Sequence, residues 1–281
     1  MELRIGLNLH LQHQEQRIIR NIIKYCITYK RWIVTPIIGV TIFLFNCDIS
    51  EVTHDTTLDE RLELIYVYDL DLPEPSGLTL NSDKTAFYVV SDPADNQVRK
   101  ISLQGDVLRI LNFVGNDLEG ITYDTSNHTL WVTEEGLREI VQLDTMGNEL
   151  NRLSISVTGF ENQGLEGITF GSNGNFFILN ETNPGLVLEI DSMGTKIAET
   201  SPETALDYSG ICYVPELDKY FIVSDESQQL MIFNSDIEQE DILKFDIDKA
   251  EGVDYDEESK QLYIVSDRDE KLYVYKLNLD I

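Results

Sequence analysis

A chain of 281 residues with 42% hydrophobic content can bury a full core in one or two domains. Against 21 basic residues stand 50 acidic ones, a formal net charge of -29 that excludes nucleic acid and anionic lipid surfaces as partners on electrostatic grounds.

The first 47 residues depart from this balance, with six basic residues (Arg4, Arg17, Arg20, Lys24, Lys30, Arg31) and only two acids, Glu2 and Glu15. Lys30 and Arg31 precede the uncharged run WIVTPIIGVTIFLFN, whose 15 residues end just before Cys47. Such a run fits a secretory apolar region better than a spanning helix, which needs about 20 residues. Residues 1–47 are therefore expected to be a signal or membrane-anchor segment. The basic stretch ahead of the run is long for a signal, as expected if translation starts further along the chain. A bacterial lipoprotein signal would place its lipidated cysteine at Cys47, although Leu44-Phe45-Asn46 lacks the small residues that such a cleavage site prefers. Lipidation, ordinary cleavage nearby and an uncleaved anchor all stay open, and each puts the acidic remainder outside the cytoplasm at the cell envelope. Residues 48–61 (DISEVTHDTTLDER) read as a polar linker. Besides Cys26 and Cys47 the chain carries only Cys212, which is expected as a buried thiol because it has no partner for an internal disulfide.

From residue 62 onward the chain repeats itself. LEGITYDTSNHTLWVTEE (118–135) returns as LEGITFGSNGNFFILNE (165–181) and AEGVDYDEESKQLYIVSD (250–267), with looser copies at 75–92 and 208–225. Gly77, Gly120, Gly167, Gly210 and Gly252 stand 43, 47, 43 and 42 residues apart. Within one unit, alternating β-branched and aromatic stretches are separated by turn residues such as DTSNH and Met146-Gly147-Asn148, giving four strands. Four antiparallel strands in about 40–45 residues make a β-propeller blade. The last repeat runs out after LYVYKLNLDI, one strand short, and LELIYVYDLDL at 62–72 is placed to supply that strand and close the ring. The expected fold of 62–281 is all-β, a five-bladed propeller of four-stranded blades, with a six-bladed ring as the alternative.

Blade geometry converts spacing into location. The first strand of a blade lies beside the central axis, and the second returns to the same end. Glu119, Glu166 and Glu251, each before a repeat glycine, should therefore meet Asp92, Glu135, Glu181, Asp225 and Asp267, which close the second strands. Ser76 and Ser209 fill the first position in the remaining blades, and Glu134 is a further candidate. One reading gives the glycines and second-strand acids to the scaffold, as close-approach and loop-capping residues. The other makes the acidic end of the tunnel a metal site, since converging carboxylates need a cation, protonation or backbone donors. Carboxylates without clustered His or Cys suit a hard cation, Ca²⁺ before Mg²⁺. Arg138 and Arg268 are the nearest bases in sequence. Only His54 and His128 lie beyond the anchor, so no Ser-His-Asp or Cys-His arrangement can assemble at the acidic end.

The LEGI and EGV units, the SD and NE endings and the apolar N-terminus together resemble the SdiA-regulated family of bacterial β-propellers over roughly residues 62–281. The motifs that carry this are Leu118-Glu119-Gly120-Ile121, Leu165-Glu166-Gly167-Ile168 and Ala250-Glu251-Gly252-Val253. The resemblance implies a cell-envelope propeller and supplies no catalytic residue. Two functions follow as expectations. One is a tethered, monomeric binding or scaffold module for an envelope protein or small ligand, with Ca²⁺ in its acidic funnel. The other is a metal-dependent hydrolase of esters, lactones or phosphoesters, in which Glu119 or Glu166 would act as the base.

Overall fold

The computed structural model describes residues 58–92, 95–156, 164–182 and 185–279; the expected anchor segment at 1–47, with Cys26 and Cys47, and the expected linker as far as residue 57 lie outside them. Strand β1 (Leu62–Asp69) is set apart from its successors in sequence and forms the outer edge of the last sheet. The first blade then runs outward from the axis as β2 (Pro75–Leu80), β3 (Ala86–Ser91), β4 (Gln97–Ser102) and β5 (Val107–Val114). The second comprises β6 (Leu118–Asp124), β7 (Thr129–Glu134), β8 (Glu139–Leu143) and β9 (Glu149–Ser154). The third is β10 (Leu165–Phe170), β11 (Phe176–Asn180), β12 (Leu186–Ile190) and β13 (Lys196–Thr200). The fourth is β14 (Ile211–Val214), β15 (Lys219–Ser224), β16 (Gln229–Asn234) and β17 (Gln239–Lys244).

The fifth blade holds β18 (Ala250–Asp256), β19 (Gln261–Ser266) and β20 (Lys271–Leu277). Strand β1 completes it, running antiparallel to β20 with Leu62 opposite Leu277 and Asp69 opposite Lys271. The inner strand β18 packs beside β2, so the five sheets close into a ring, and the five-bladed expectation holds over the six-bladed one. Closure removes the open edges that β1 and β20 would otherwise present.

The core lies between blades. The inner strands are almost wholly buried, whereas the outer strands β5 and β13 expose most of their side chains. Trp131 meets Phe176 edge-on across the second and third blades, with centroids 4.8 Å apart. Phe87 meets Tyr263 in the same way at 4.8 Å across the first and fifth, so the closing interface is packed like the others. Each such buried ring contributes about 1.5–3 kcal/mol. Turns between third and fourth strands hold Gly105, Gly147 and Gly194 at φ of +92°, +85° and +82°, and the fourth blade puts Ile237 in that role at +58°.

One expected funnel residue serves this scaffold instead. Glu134 is buried on β7 and bonded to Arg152 and to the Asn116 backbone N–H (2.8 Å). Arg152 also reaches Glu139 at 2.7 Å and Glu149 at 2.9 Å. Removing the guanidinium would strand the Glu134 charge in the blade. Arg152→Met should cost about 2–3 kcal/mol, and adding Glu134→Gln should recover much of it. Thermal unfolding of the two single variants and the double variant measures that coupling, and additive losses would contradict it.

Candidate functional site

Two local devices build the axial end of each blade. The repeat glycines form a ring in which neighbouring inner strands touch through their backbones. A Cβ on Gly77 would lie 2.6 Å from the Glu119 carbonyl oxygen, and one on Gly120 would lie 2.5 Å from that of Glu166. Gly167 faces Ile211 N at 2.7 Å, Gly210 faces the Glu251 carbonyl, and Gly252 meets Leu78 N at 2.8 Å. None of these five has a positive φ, so closeness rather than turn geometry requires glycine here. The second device is a β-bulge just before the glycine. The β6–β7 register shifts between Leu118 and Ile121, so that Glu119 and Gly120 together oppose Thr133. The same shift occurs at Leu165/Ile168, Ala250/Val253 and Pro75/Gly77. A bulge re-aims the extra side chain, and Glu119, Glu166, Glu251 and Ser76 all line the tunnel as a result.

The cavity they enclose has a volume of about 190 Å³. Asp92, Glu135, Glu181 and Asp267 reach it from the ends of the second strands. Seven of the eight acids expected there therefore line one cavity. Asp225 does not: its carboxylate accepts a hydrogen bond from the Lys249 backbone N–H (2.9 Å) and pairs with Lys249 Nζ (3.0 Å). Lys249 Nζ also lies 3.6 Å from Glu251 Oε1. Lys249 thus offsets part of the charge on that side of the cavity. Arg268, one of the bases closest in sequence, is paired with Asp248 instead.

Away from Lys249 the acids gather in two sets. Glu135, Glu166 and Glu181 bring one carboxylate oxygen each within 4.8 Å of the others, and so do Asp92, Asp117 and Glu119. Glu135 and Glu166 are buried, and Glu135 accepts a bond from the Gly164 N–H at 2.9 Å. Oδ1 of Asp92 is buried and finds no hydrogen-bond partner among the described residues. Burial, and then repulsion from Asp117, pushes the Asp92 carboxyl up to about 7. Burial, and then Glu135, pushes Glu181 to about 7. Glu251 also rises to about 7, burial outweighing the attraction of Lys249. Glu119 and Glu166 are held well above the usual carboxylate range by burial and by their acidic neighbours.

The family model for SdiA-regulated proteins matches residues 69–276. The chain belongs to the SdiA-regulated family. No curated protein sequence matches it. Among solved structures it is similar to the glutaminyl cyclase of Myxococcus xanthus, with a TM-score of 0.64 at 10% identity over 77% of this chain and 96% of that one. It is also similar to the virginiamycin B lyase of Staphylococcus aureus, with a TM-score of 0.51 at 15% identity over 74% and 83% of the two chains. A Bacteroides caccae protein of unknown function gives 0.51 at 9% identity over 68% and 69%. At these identities the likeness is one of fold.

Asp117, Asp207 and Lys249 are cavity or cluster residues that the repeat reading missed, and one signal finds all three. They stand three positions before Gly120, Gly210 and Gly252, where the other family repeats of this chain have Glu74 and Gly164. In three of the five this position is left-handed: φ is 46° at Glu74, 59° at Asp117 and 55° at Lys249. Its carbonyl accepts the N–H of the acid that ends the second strand, as in Glu74–Asp92 (2.9 Å), Asp117–Glu135 (2.9 Å) and Lys249–Asp267 (3.0 Å). In the fourth blade Asp207 takes the acidic place that Asp225 vacates; it is buried and accepts bonds from Ser224 Oγ and the Glu226 N–H (3.1 Å).

Proposed function

We propose that this SdiA-regulated protein is a membrane-tethered, extracytoplasmic binding module that holds Ca²⁺ at the acidic end of its tunnel. The reading rests on Glu135, Glu166 and Glu181, whose oxygens lie within 4.8 Å of one another. Among the described residues, none of the three enters an ion pair. Three converging carboxylates with no His or Cys match a hard cation. Ca²⁺, which accepts about 6–8 oxygens in loose geometry, suits them better than Mg²⁺. Asp92, Asp117 and Glu119 offer a second set of oxygens in the same funnel. The basic flank and apolar run before Cys47 support the tether, and the partner is an envelope protein or small ligand met by the monomer.

Thermal unfolding of the full chain in EDTA, and then with added Ca²⁺ or Mg²⁺, tests the reading. Ca²⁺ at about 100 times its Kd stabilises the folded state by about 2.7 kcal/mol, a rise of roughly 5–10 °C for a domain of this size. Glu166→Gln and Glu181→Gln should each abolish most of that rise. An unchanged melting temperature at every metal concentration would overturn the proposal.

A metal-dependent hydrolase of esters, lactones or phosphoesters is the second reading. It is favoured by Asp92, whose carboxyl titrates near neutrality beside Asp117 and Glu119, as a general base should. Metal-dependent turnover of p-nitrophenyl esters or phosphoesters that is lost in Asp92→Asn would support it; no turnover with Ca²⁺, Mg²⁺ or Mn²⁺ would dismiss it.

A further inference from the structure

The tunnel has a second mouth, at the other ends of the inner strands, with a volume of about 680 Å³. That lies within the roughly 300–1,000 Å³ of small-molecule sites. Its wall is built in layers by the same register that builds the acidic end. Ile121, Ile168, Ile211 and Val253 follow the ring glycines and line its depth. One residue further on, the blades contribute Thr79, Thr122, Thr169, Cys212 and Asp254. Beyond these, Tyr123, Phe170 and Tyr213 line the rim. Each rim ring is backed by another aromatic: Tyr88 at 6.0 Å, Phe176 at 4.7 Å and Tyr220 at 5.0 Å.

The threonine layer shows what its members are needed for. Thr169 Oγ1 accepts the Tyr213 N–H of the next blade at 3.1 Å. Asp254 Oδ2 does the same for the Leu80 N–H at 2.6 Å, and Oδ1 takes the Tyr255 N–H at 2.8 Å. A neutral hydroxyl therefore suffices for the clasp between blades, and the charge at Asp254 is surplus to it. Lys84 acts on Asp254 only through its field, its ammonium being paired with Asp256. Neither lysine, arginine nor histidine lines the mouth among the described residues. Thr79 and Thr122 are more than nine-tenths buried at its wall.

We propose that this mouth binds a small organic molecule carrying an ammonium group, with the cation against Asp254 and the rim aromatics and the body of the molecule among the apolar side chains. A carboxylate outside any ion pair, aromatic rings at the entrance and a layer of threonines at the wall are the complement of such a ligand. An anionic ligand would meet only negative charge. The site is separate from the acidic funnel, so it stands or falls independently of Ca²⁺.

Calorimetric titration of the full chain with benzyltrimethylammonium, and with benzyl alcohol and benzoate as neutral and anionic probes of similar size, tests this. The ammonium should bind saturably, the alcohol at least tenfold more weakly and benzoate not at all. Asp254→Thr keeps the clasp as Thr169 does and removes the charge, and it should weaken the ammonium at least tenfold; Asp254→Asn should do the same and decides the matter should the threonine variant fail to fold. Unchanged affinity in the folded variant, no saturable binding of the ammonium, or benzoate binding as tightly, overturns the proposal.

Discussion

Gly120→Ala should destabilise the propeller by more than about 3 kcal/mol, a loss of roughly 6–12 °C in melting temperature. The added methyl would meet Glu166 O at 2.5 Å, Ile168 N at 2.9 Å and the Gly167 Cα at 3.0 Å. All three are backbone atoms of the next blade, so no rotamer change relieves the contact. Displacing that strand also disturbs the bonds that tie the ring together there: Gly120 N–H to Thr133 Oγ1 (2.6 Å), Thr133 Oγ1 to Glu166 O (2.9 Å) and Gly167 N–H to Ser209 O (2.8 Å). Gly174→Ala is the matched control. Its φ is +79° and nothing lies within 4 Å of the new Cβ, so only the left-handed backbone is penalised, at about 1–2 kcal/mol. Chemical or thermal unfolding that ranked Gly174→Ala as the more damaging change would refute the steric account of the ring.

The repeat glycines were legible as a ring because they recur with the blade, and an identical demand on five strands leaves an identical residue. The strand that closes the fifth blade was legible for the same reason, as a strand missing at one end of the chain and surplus at the other. The site was harder to read because its residues answer to local geometry. Glu119 and Glu166 face the tunnel through bulges that shift the register by one residue, which alternation along a strand does not reveal. Asp225 looks equivalent to Glu135 and Glu181 in spacing, yet Lys249 draws it out of the cavity. The second mouth leaves no mark in the sequence, because isolated threonines, a buried thiol and one aspartate carry no spacing motif. They become a layer only when five inner strands are set side by side.

Acidification should stabilise the metal-free protein. Asp92 rises from 3.8 to about 7, and Glu181 and Glu251 rise from 4.5 to about 7, on folding. Between those limits the folded chain holds protons that the unfolded chain has released. Stability is therefore greatest at the acid side of the window and declines as pH rises through about 7. Three independent shifts of this size would sum to roughly 11 kcal/mol, at about 1.36 kcal/mol per unit. Mutual repulsion is shared among the groups, so a net change of about 3 kcal/mol is expected between pH 5 and 8. In EDTA the melting temperature should fall by roughly 6–12 °C across that interval. Ca²⁺ binds the ionised carboxylates, so its stabilising effect must grow over the same interval and flatten the profile. The two curves, with and without Ca²⁺, should converge near pH 5. A metal-free melting temperature that instead climbs from pH 5 to 8 would mean that the funnel acids are already paired within the protein. The cation would then have no unbalanced charge to answer.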